Sequence, residues 1–260
     1  MPNISIITIC FNNPEDLVKT CASVDMQELK PFEHIIIDGS TKPDIKNYLA
    51  ENPPPGYRKW LCEPDKGIAD AFNKGIKMAT GEITTLLNSG DTLYDKSVLS
   101  IVNGTFSKDF SLMWCNGQLN MFRAGMWVII GKGFEKDKLY RGMHGVFHPT
   151  MYVKKEVYAR RGYFDINVKI GMDYDFLCRI ADEKNTFIAH PIATFDPTGV
   201  SSVRYLEGVK ECGESYKKYY GGSFKLTYWQ WRLTFLHYML NSPIGKLLYK
   251  MKVKMGIKNH

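Results

Sequence analysis

The feature that most constrains this chain is the alternation that fills its first 100 residues. Short apolar runs bounded by turn residues take turns with stretches of helical spacing. Residues 4–9 are an apolar run that stops at Asn12-Asn13-Pro14, and residues 15–26 carry Leu17, Cys21 and Val24 on one helical face. Residues 33–38 contain Ile35-Ile36-Ile37, a continuous apolar run of the kind found in strands covered on both faces. A third short strand follows at residues 58–62. Residues 68–80 are helical, with Ile68, Ala69, Phe72, Ile76 and Ala79 on one broad face. A fourth strand at 83–87 and a helix beginning within 95–102 complete the series. Strands separated by single helices predict an α/β fold: a mainly parallel, Rossmann-like sheet flanked by helices, with right-handed crossovers.

Ligands of open sheets of this kind sit beyond the carboxyl ends of the strands. Here those ends are polar or acidic. They read Thr8 and Asn12-Asn13, then Asp38-Gly39-Ser40, then Glu63-Pro64-Asp65-Lys66-Gly67, then Asn88-Ser89-Gly90-Asp91. A GxxxxGK[ST] phosphate loop is absent, and so is a GxGxxG after the first strand, which removes the usual nucleotide-triphosphate and dinucleotide readings. Carboxylates at strand ends suit a hard divalent cation, Mn2+ or Mg2+, together with a phosphate-bearing substrate.

The second half is less regular. Residues 112–115, 118–122 and 127–130 suggest antiparallel strands, and 150–162 are helical or extended. Gly162-Tyr163-Phe164-Asp165 is a turn. Residues 173–183 are a helix with Phe176, Leu177 and Ile180 inward, and 186–195 form a late strand. The six cysteines are scattered without a CxxC pair, so neither a zinc site nor a disulfide framework is signalled, which points to a reducing compartment. The N-terminal apolar run is too short for a signal peptide, and no window offers about 18 uninterrupted apolar residues.

These residues, taken in order, carry a family resemblance. Residues 63–76, then Ala79-Thr80-Gly81-Glu82, then Leu87-Asn88-Ser89-Gly90-Asp91 closely resemble the family-2 glycosyltransferases of bacterial polysaccharide biosynthesis. Ser5-Ile6-Ile7-Thr8, Asn12-Asn13 and Ile37-Asp38-Gly39-Ser40-Thr41 fit the opening strands of that family. His148-Pro149-Thr150-Met151-Tyr152, Gly162-Tyr163-Phe164-Asp165 and residues 172–179 fit its second half. The resemblance spans roughly residues 3–205. It implies a GT-A fold, a nucleoside-diphosphate sugar donor, and transfer to an acceptor hydroxyl with inversion. The catalytic domain then covers 1–210, with a nucleotide-sugar half at about 1–105 and an acceptor half at about 106–210. A basic, aromatic, helical extension covers 211–260.

The same resemblance implies roles for single residues. Asp91 matches the aspartate that binds the metal bridging the donor phosphates; read alone, Ser-Gly-Asp-Thr is also good turn chemistry. Many relatives have a second acid at the position of Gly90, so this site is less acidic, and Asn88 is the candidate neutral oxygen donor. Asp38 matches the aspartate that accepts from the nucleotide base. A carboxylate accepts the imide N–H of uracil, and cytosine has none, which favours UDP; an Asx-turn is the alternative role. Thr8, Asn12, Asp65 and Gly67 match the rest of the base and ribose pocket. Asn73 reads as packing within its helix. Asp173 matches the general base that takes the acceptor's proton, with Asp175 as the rival. His148 is a candidate contact to acceptor or phosphate, and equally a structural histidine. Residues 199–202 resemble a loop that closes over the donor.

Charge separates the tail from the body. After Glu214 there is no acid, and nine Lys/Arg residues follow, leaving 25 positives against 27 acids in the rest of the chain. The tail carries Tyr228, Trp229, Trp231, Phe235 and Tyr238. Ile244, Leu247, Leu248, Met251 and Met255 then form one helical stripe opposite Lys246 and Lys250. A basic amphipathic helix rich in aromatics is expected at an anionic membrane surface, here the inner face of the cell membrane, close to a lipid-linked glycan acceptor. Packing on the catalytic domain is the other use of such a stripe. Nucleic acid is not an expected partner, because the aromatics cluster with aliphatic residues. A sugar-phosphate nucleotidyltransferase would need a glycine-rich, basic loop where Cys10-Phe11-Asn12-Asn13 stands. A non-catalytic nucleotide-sugar-binding module would not need Asp91 and Asp173.

Overall fold

The computed structural model describes residues 2–123, 125–195, 204–243 and 245. The loop at 199–202 and the stripe of Ile244, Leu247, Leu248, Met251 and Met255 lie outside the described residues. Strands β1 (Ile4–Cys10), β2 (Glu33–Asp38), β3 (Arg58–Cys62) and β4 (Ile83–Leu86) run parallel in the order β3-β2-β1-β4. Helices α1 (Pro14–Asp25), α2 (Asp44–Glu51) and α3 (Ile68–Met78) connect them. Alternation along the strands sorts the core. Ile7, Ile35 and Ile37 face Phe72 and Ile76 of α3, while Ile6 and Ile36 face the opposite layer with α1, α2 and α4 (Val98–Lys108).

Past β4 the sheet becomes mixed. After the two-residue β5 (Thr92–Leu93) come β6 (Trp114–Arg123), β7 (Met126–Ile130), β8 (Tyr152–Lys154) and β9 (Asn185–Phe195). They extend the sheet as β4-β8-β6-β9-β5, with β7 pairing β6 as an antiparallel hairpin. β8 is antiparallel to both β4 and β6, and β6 and β9 are parallel. The two short strands expected at 112–115 and 118–122 are therefore one strand with an irregularity at Gly117–Leu119, where its pairing to β9 slips. Helix α5 (Lys155–Arg161) and helix α6 (Met172–Ile180) cover the same face as α3. The chain then forms α7 (Tyr205–Tyr220) and α8 (Phe224–Asn241). Helix α7 packs on α6, and α8 packs on α7 and on the 3-10 turn Lys136–Arg141. All six cysteines are free thiols.

Candidate active site

The parallel register aligns Cys10, Asp38 and Cys62 in one row across β1, β2 and β3. Beyond β4 the row continues, because Ser89 N donates to Ile9 O at 3.0 Å. The polar loops after the four strands therefore lie along one edge. Two devices hold the loops after β1, β2 and β3 together. Asn12 adopts a left-handed backbone (φ 55), which asparagine tolerates better than most residues, and its side chain accepts from Lys42 N at 3.1 Å and donates to Thr41 Oγ1 at 3.2 Å. Gly39 lies under the Asp65 carboxylate so closely that a Cβ there would fall 1.8 Å from Asp65 Oδ2. The absent side chain lets the β2 and β3 loops meet. Asp65 Oδ1 also accepts from Gly67 N at 2.8 Å, at the entrance to α3. Asp38 is 3% exposed, and its Oδ1 accepts from Ser40 N at 3.0 Å, so the Asx-turn is real.

Thr8 corrects an expectation. It is fully buried, 2.9 Å from His34 Nε2. Arg58 Nε donates to His34 Nδ1 at 3.0 Å, which leaves the His34 proton on Nε2, facing Thr8. Burial, reinforced by Arg58, pushes the imidazole down to about 3, so it is neutral. Thr8 therefore supports β1 from within the core and presents no surface to a nucleotide.

The turn at 88–91 is latched from α1. Thr20 Oγ1 accepts from Gly90 N at 3.0 Å and donates to Asp91 O at 2.7 Å. Asp91 N closes the turn on Asn88 O at 3.0 Å. Gly90 has φ 102, a backbone region that disfavours any residue with a Cβ. The turn geometry thus favours glycine at this position. Asp91 is 2% exposed, at the inner end of this turn.

Asp173 enters the site from the first turn of α6. A small cavity brings it together with Leu86, the last residue of β4, and with His148, Met151 and Phe164. Tyr174 N donates to Asp173 Oδ1 at 2.8 Å. No Lys or Arg lies within ion-pair distance among the described residues. Burial outweighs the N–H and pushes the carboxyl up to about 6. A carboxylate so placed is a base poised near neutral pH. Its rival is committed elsewhere: Asp175 is 1% exposed, accepts from Arg179 Nε at 3.1 Å and receives the Tyr219 hydroxyl at 3.1 Å. His148 packs against Phe72 with ring centroids 5.2 Å apart, and its buried Nε2 has no hydrogen-bond partner among the described residues. Burial pushes this imidazole down to about 4, so it offers a neutral hydrogen-bonding group and no charge. Asn73, as expected, is structural. It exchanges two 2.9 Å hydrogen bonds with the backbone of Phe164 and so ties α3 to the turn at 162–165.

The loop that presents Asp173 is fastened by α7. Glu211 accepts from the N–H groups of Lys169, Ile170 and Gly171 at 3.2, 2.7 and 2.8 Å. A second, larger cavity of about 350 Å³ opens between this loop, Arg141 and the two C-terminal helices, and Asp173 lines it as well. Sequence reasoning did not single out Thr20, Arg141 or Glu211.

Among the described residues no group of three or more His, Cys, Asp or Glu side chains is placed to hold a metal. The residues fit a cation nonetheless: one carboxylate, Asp91, with Asn88 on the same turn, suits an ion whose remaining ligands are substrate phosphate and water.

Comparison with known proteins agrees with this architecture. The glycosyl transferase family 2 profile matches residues 5–161. An uncharacterised glycosyltransferase of Mycobacterium tuberculosis is 30% identical over 236 residues, covering 85% of this chain and 87% of that one. A PGL/p-HBAD biosynthesis glycosyltransferase of the same species is 26% identical over 183 residues, covering 68% of this chain and 69% of that one. Among solved structures, S. aureus TarS 1–349 in complex with UDP-GlcNAc superimposes with a TM-score of 0.65 at 14% identity, covering 84% of this chain and 67% of that one. This chain spans 44% of the longer TarS structure. A mannosyltransferase from Pyrobaculum calidifontis in complex with GDP-Man and Mn2+ gives a TM-score of 0.62 at 16% identity, covering 99% of this chain and 81% of that one. With its curled sheet, its strand-end acids and a profile match over more than half its length, the chain belongs to glycosyl transferase family 2 and has the GT-A fold.

Proposed function

We propose that this protein transfers a sugar from a UDP-sugar to an acceptor hydroxyl with inversion at the anomeric carbon. The observation that carries the reading is Asp173: a carboxylate held up near neutral pH, without an ion-pair partner among the described residues, next to the end of β4. Asp38 and Asp65, joined through Gly39, form the wall for the base and ribose. Asp91, with Asn88, is the candidate holder of Mn2+ or Mg2+, which when bound neutralises charge on the departing diphosphate. The acceptor oxygen bonds to the anomeric carbon as the carbon–oxygen bond to the diphosphate breaks, and that electron pair leaves with the UDP. Asp173 takes the acceptor's proton, because a sugar hydroxyl is a poor nucleophile while it keeps its proton. His148, neutral, is suited to a hydrogen bond from its side of the small cavity.

The reading extends to location. Helix α8 contains no acid. Its Phe224, Tyr228, Trp231, Phe235 and Tyr238 are all more than half exposed, beside Lys225. No helix among the described residues is long and apolar enough to cross a membrane. Such a face supports peripheral binding to an anionic membrane surface on the cytoplasmic side, where a lipid-linked acceptor would be within reach. Flotation with anionic and neutral vesicles tests this, and equal binding to both removes the electrostatic part.

The activity itself is tested by incubating the protein with Mn2+ and each of several UDP-sugars and GDP-mannose, following release of nucleoside diphosphate, with calorimetry of donor binding alongside. Metal-dependent turnover or binding of one UDP-sugar, lost in Asp91→Ala, is expected. Neither release nor binding with any donor would overturn the transferase reading.

A further inference from the structure

The 350 Å³ cavity beside Asp173 is of the size that encloses a small organic group. Its walls come largely from α7 and α8, which lie beyond the residues that the family profile matches. The walls are apolar and aromatic: Tyr205, Val209, Leu226, Trp229 and Leu233. Asp173 and Gln230 also line it, the Gln230 amide donating to Val209 O at 3.0 Å, and two further polar features break the apolar lining. Arg141 lies with its guanidinium 5.2 Å from the Tyr140 ring and 5.0 Å from the Trp229 ring, and no carboxylate pairs with it among the described residues. The Trp229 indole N–H is buried without an acceptor among the described residues. A buried donor without an acceptor is a cost that a ligand oxygen would relieve.

Resting on the transferase reading above, we propose that this cavity is the acceptor's aglycone site. It takes an acceptor whose sugar is joined through an anionic, phosphate-type linkage to an apolar chain. The sugar hydroxyl lies at Asp173, the anionic linkage at Arg141 and the Trp229 N–H, and the apolar chain runs along Leu226 and Leu233 between α7 and α8. The chemistry follows from the walls. A free sugar is too polar to displace water from aliphatic side chains, and a purely apolar ligand would leave Arg141 and the indole N–H uncompensated.

The test uses the full chain and three soluble probes of each of several common hexoses: the methyl glycoside, the hexyl glycoside and the hexyl phosphodiester of the sugar. Binding is measured by calorimetry without donor, below the aggregation concentration of the probes. We expect the hexyl glycoside of one sugar to bind at least tenfold tighter than its methyl glycoside, and the hexyl phosphodiester tighter again by at least fivefold. Val209→Trp, which fills the cavity, and Trp229→Ala should each erase the hexyl advantage. Arg141→Gln should erase only the phosphodiester advantage. Thermal unfolding of each variant separates lost binding from lost fold, and Val209→Trp and Trp229→Ala serve as independent checks on one another. Asp91→Ala should keep probe binding while losing donor turnover, so failure of the donor chemistry and failure of this assignment are told apart. Equal binding of methyl and hexyl probes overturns the proposal, as does displacement of the hexyl probe by UDP, which would assign the cavity to the donor.

Discussion

Replacing Asp173 with asparagine should make the protein more stable and inactive at once. The carboxyl is pushed up to about 6 by burial, from an ordinary value of 3.8. Its folded pKa therefore lies above its unfolded one, and the folded state is the better proton binder. Stability is intact below about pH 4, declines as pH rises from about 4 to about 6, and carries the full cost of the buried charge above that. At about 1.4 kcal/mol per pH unit, the gap between 3.8 and about 6 amounts to about 3 kcal/mol. The asparagine side chain keeps the shape and can still accept the Tyr174 N–H, so Asp173→Asn should gain up to about 3 kcal/mol at pH 8 and almost nothing at pH 4. Urea unfolding at the two pH values measures this: the midpoint difference between variant and wild type should be about 1 M at pH 8 and near zero at pH 4. Turnover of donor with acceptor should fall by about 10²- to 10⁴-fold, the usual contribution of a positioned general base. A variant that gains nothing at pH 8 refutes the burial argument. One that keeps more than a tenth of wild-type turnover refutes the catalytic one.

The same carboxyl sets the pH profile: wild-type kcat/KM should rise about tenfold per pH unit up to about 6 and level off above, as pH-rate measurements will show. Gly39→Ala places a methyl 1.8 Å from Asp65 Oδ2 and should cost about 1–3 kcal/mol in thermal or urea unfolding, with at least fivefold weaker UDP binding by calorimetry. Thr20→Val removes the hydroxyl that latches the turn at 88–91, and should cost about 1–3 kcal/mol and weaken metal-dependent donor binding. Burial opposes ionisation of Glu33, but Lys59, the N–H groups of Thr80 and Gly81, and Ser5 outweigh it and hold the carboxyl at about 2. The stability it confers is therefore present above about pH 4.5 and lost as pH falls toward 2, and Glu33→Gln should flatten that acid limb in pH-dependent unfolding.

Much of this arrangement is legible in the chain, for physical reasons that also mark where legibility ends. The runs around Ile7 and Ile36 are buried on both faces, and such runs announce a parallel sheet without help from tertiary context. The period of two also holds the answer for Thr8, which shares its side of β1 with Ile4 and Ile6; its place near the strand end points the other way, and the period wins. Helix α2 escapes sequence reading because Ile45 and Leu49 are its only buried residues. Trp229 and Trp231 are two residues apart in a helix whose apolar and polar residues are spread around its circumference, so periodicity alone does not say which of them is inward. Only packing turns Trp229 toward Asp173 and leaves Trp231 61% exposed. Thr20, Arg141 and Glu211 act on groups that are remote in sequence, and no local pattern marks such residues.

The clamp from Glu211 onto residues 169–171 means that the C-terminal helices are not a detachable cassette. The same helix that walls the second cavity also sets where Asp173 stands. A chimera that grafts α7 and α8 from a relative onto residues 1–204 would change the wall and loosen the carboxylate in one stroke, unless the partner loop travels with them. Recombination between such proteins should therefore succeed at crossover points before residue 169, where fastener and fastened are inherited together, and fail between 172 and 210.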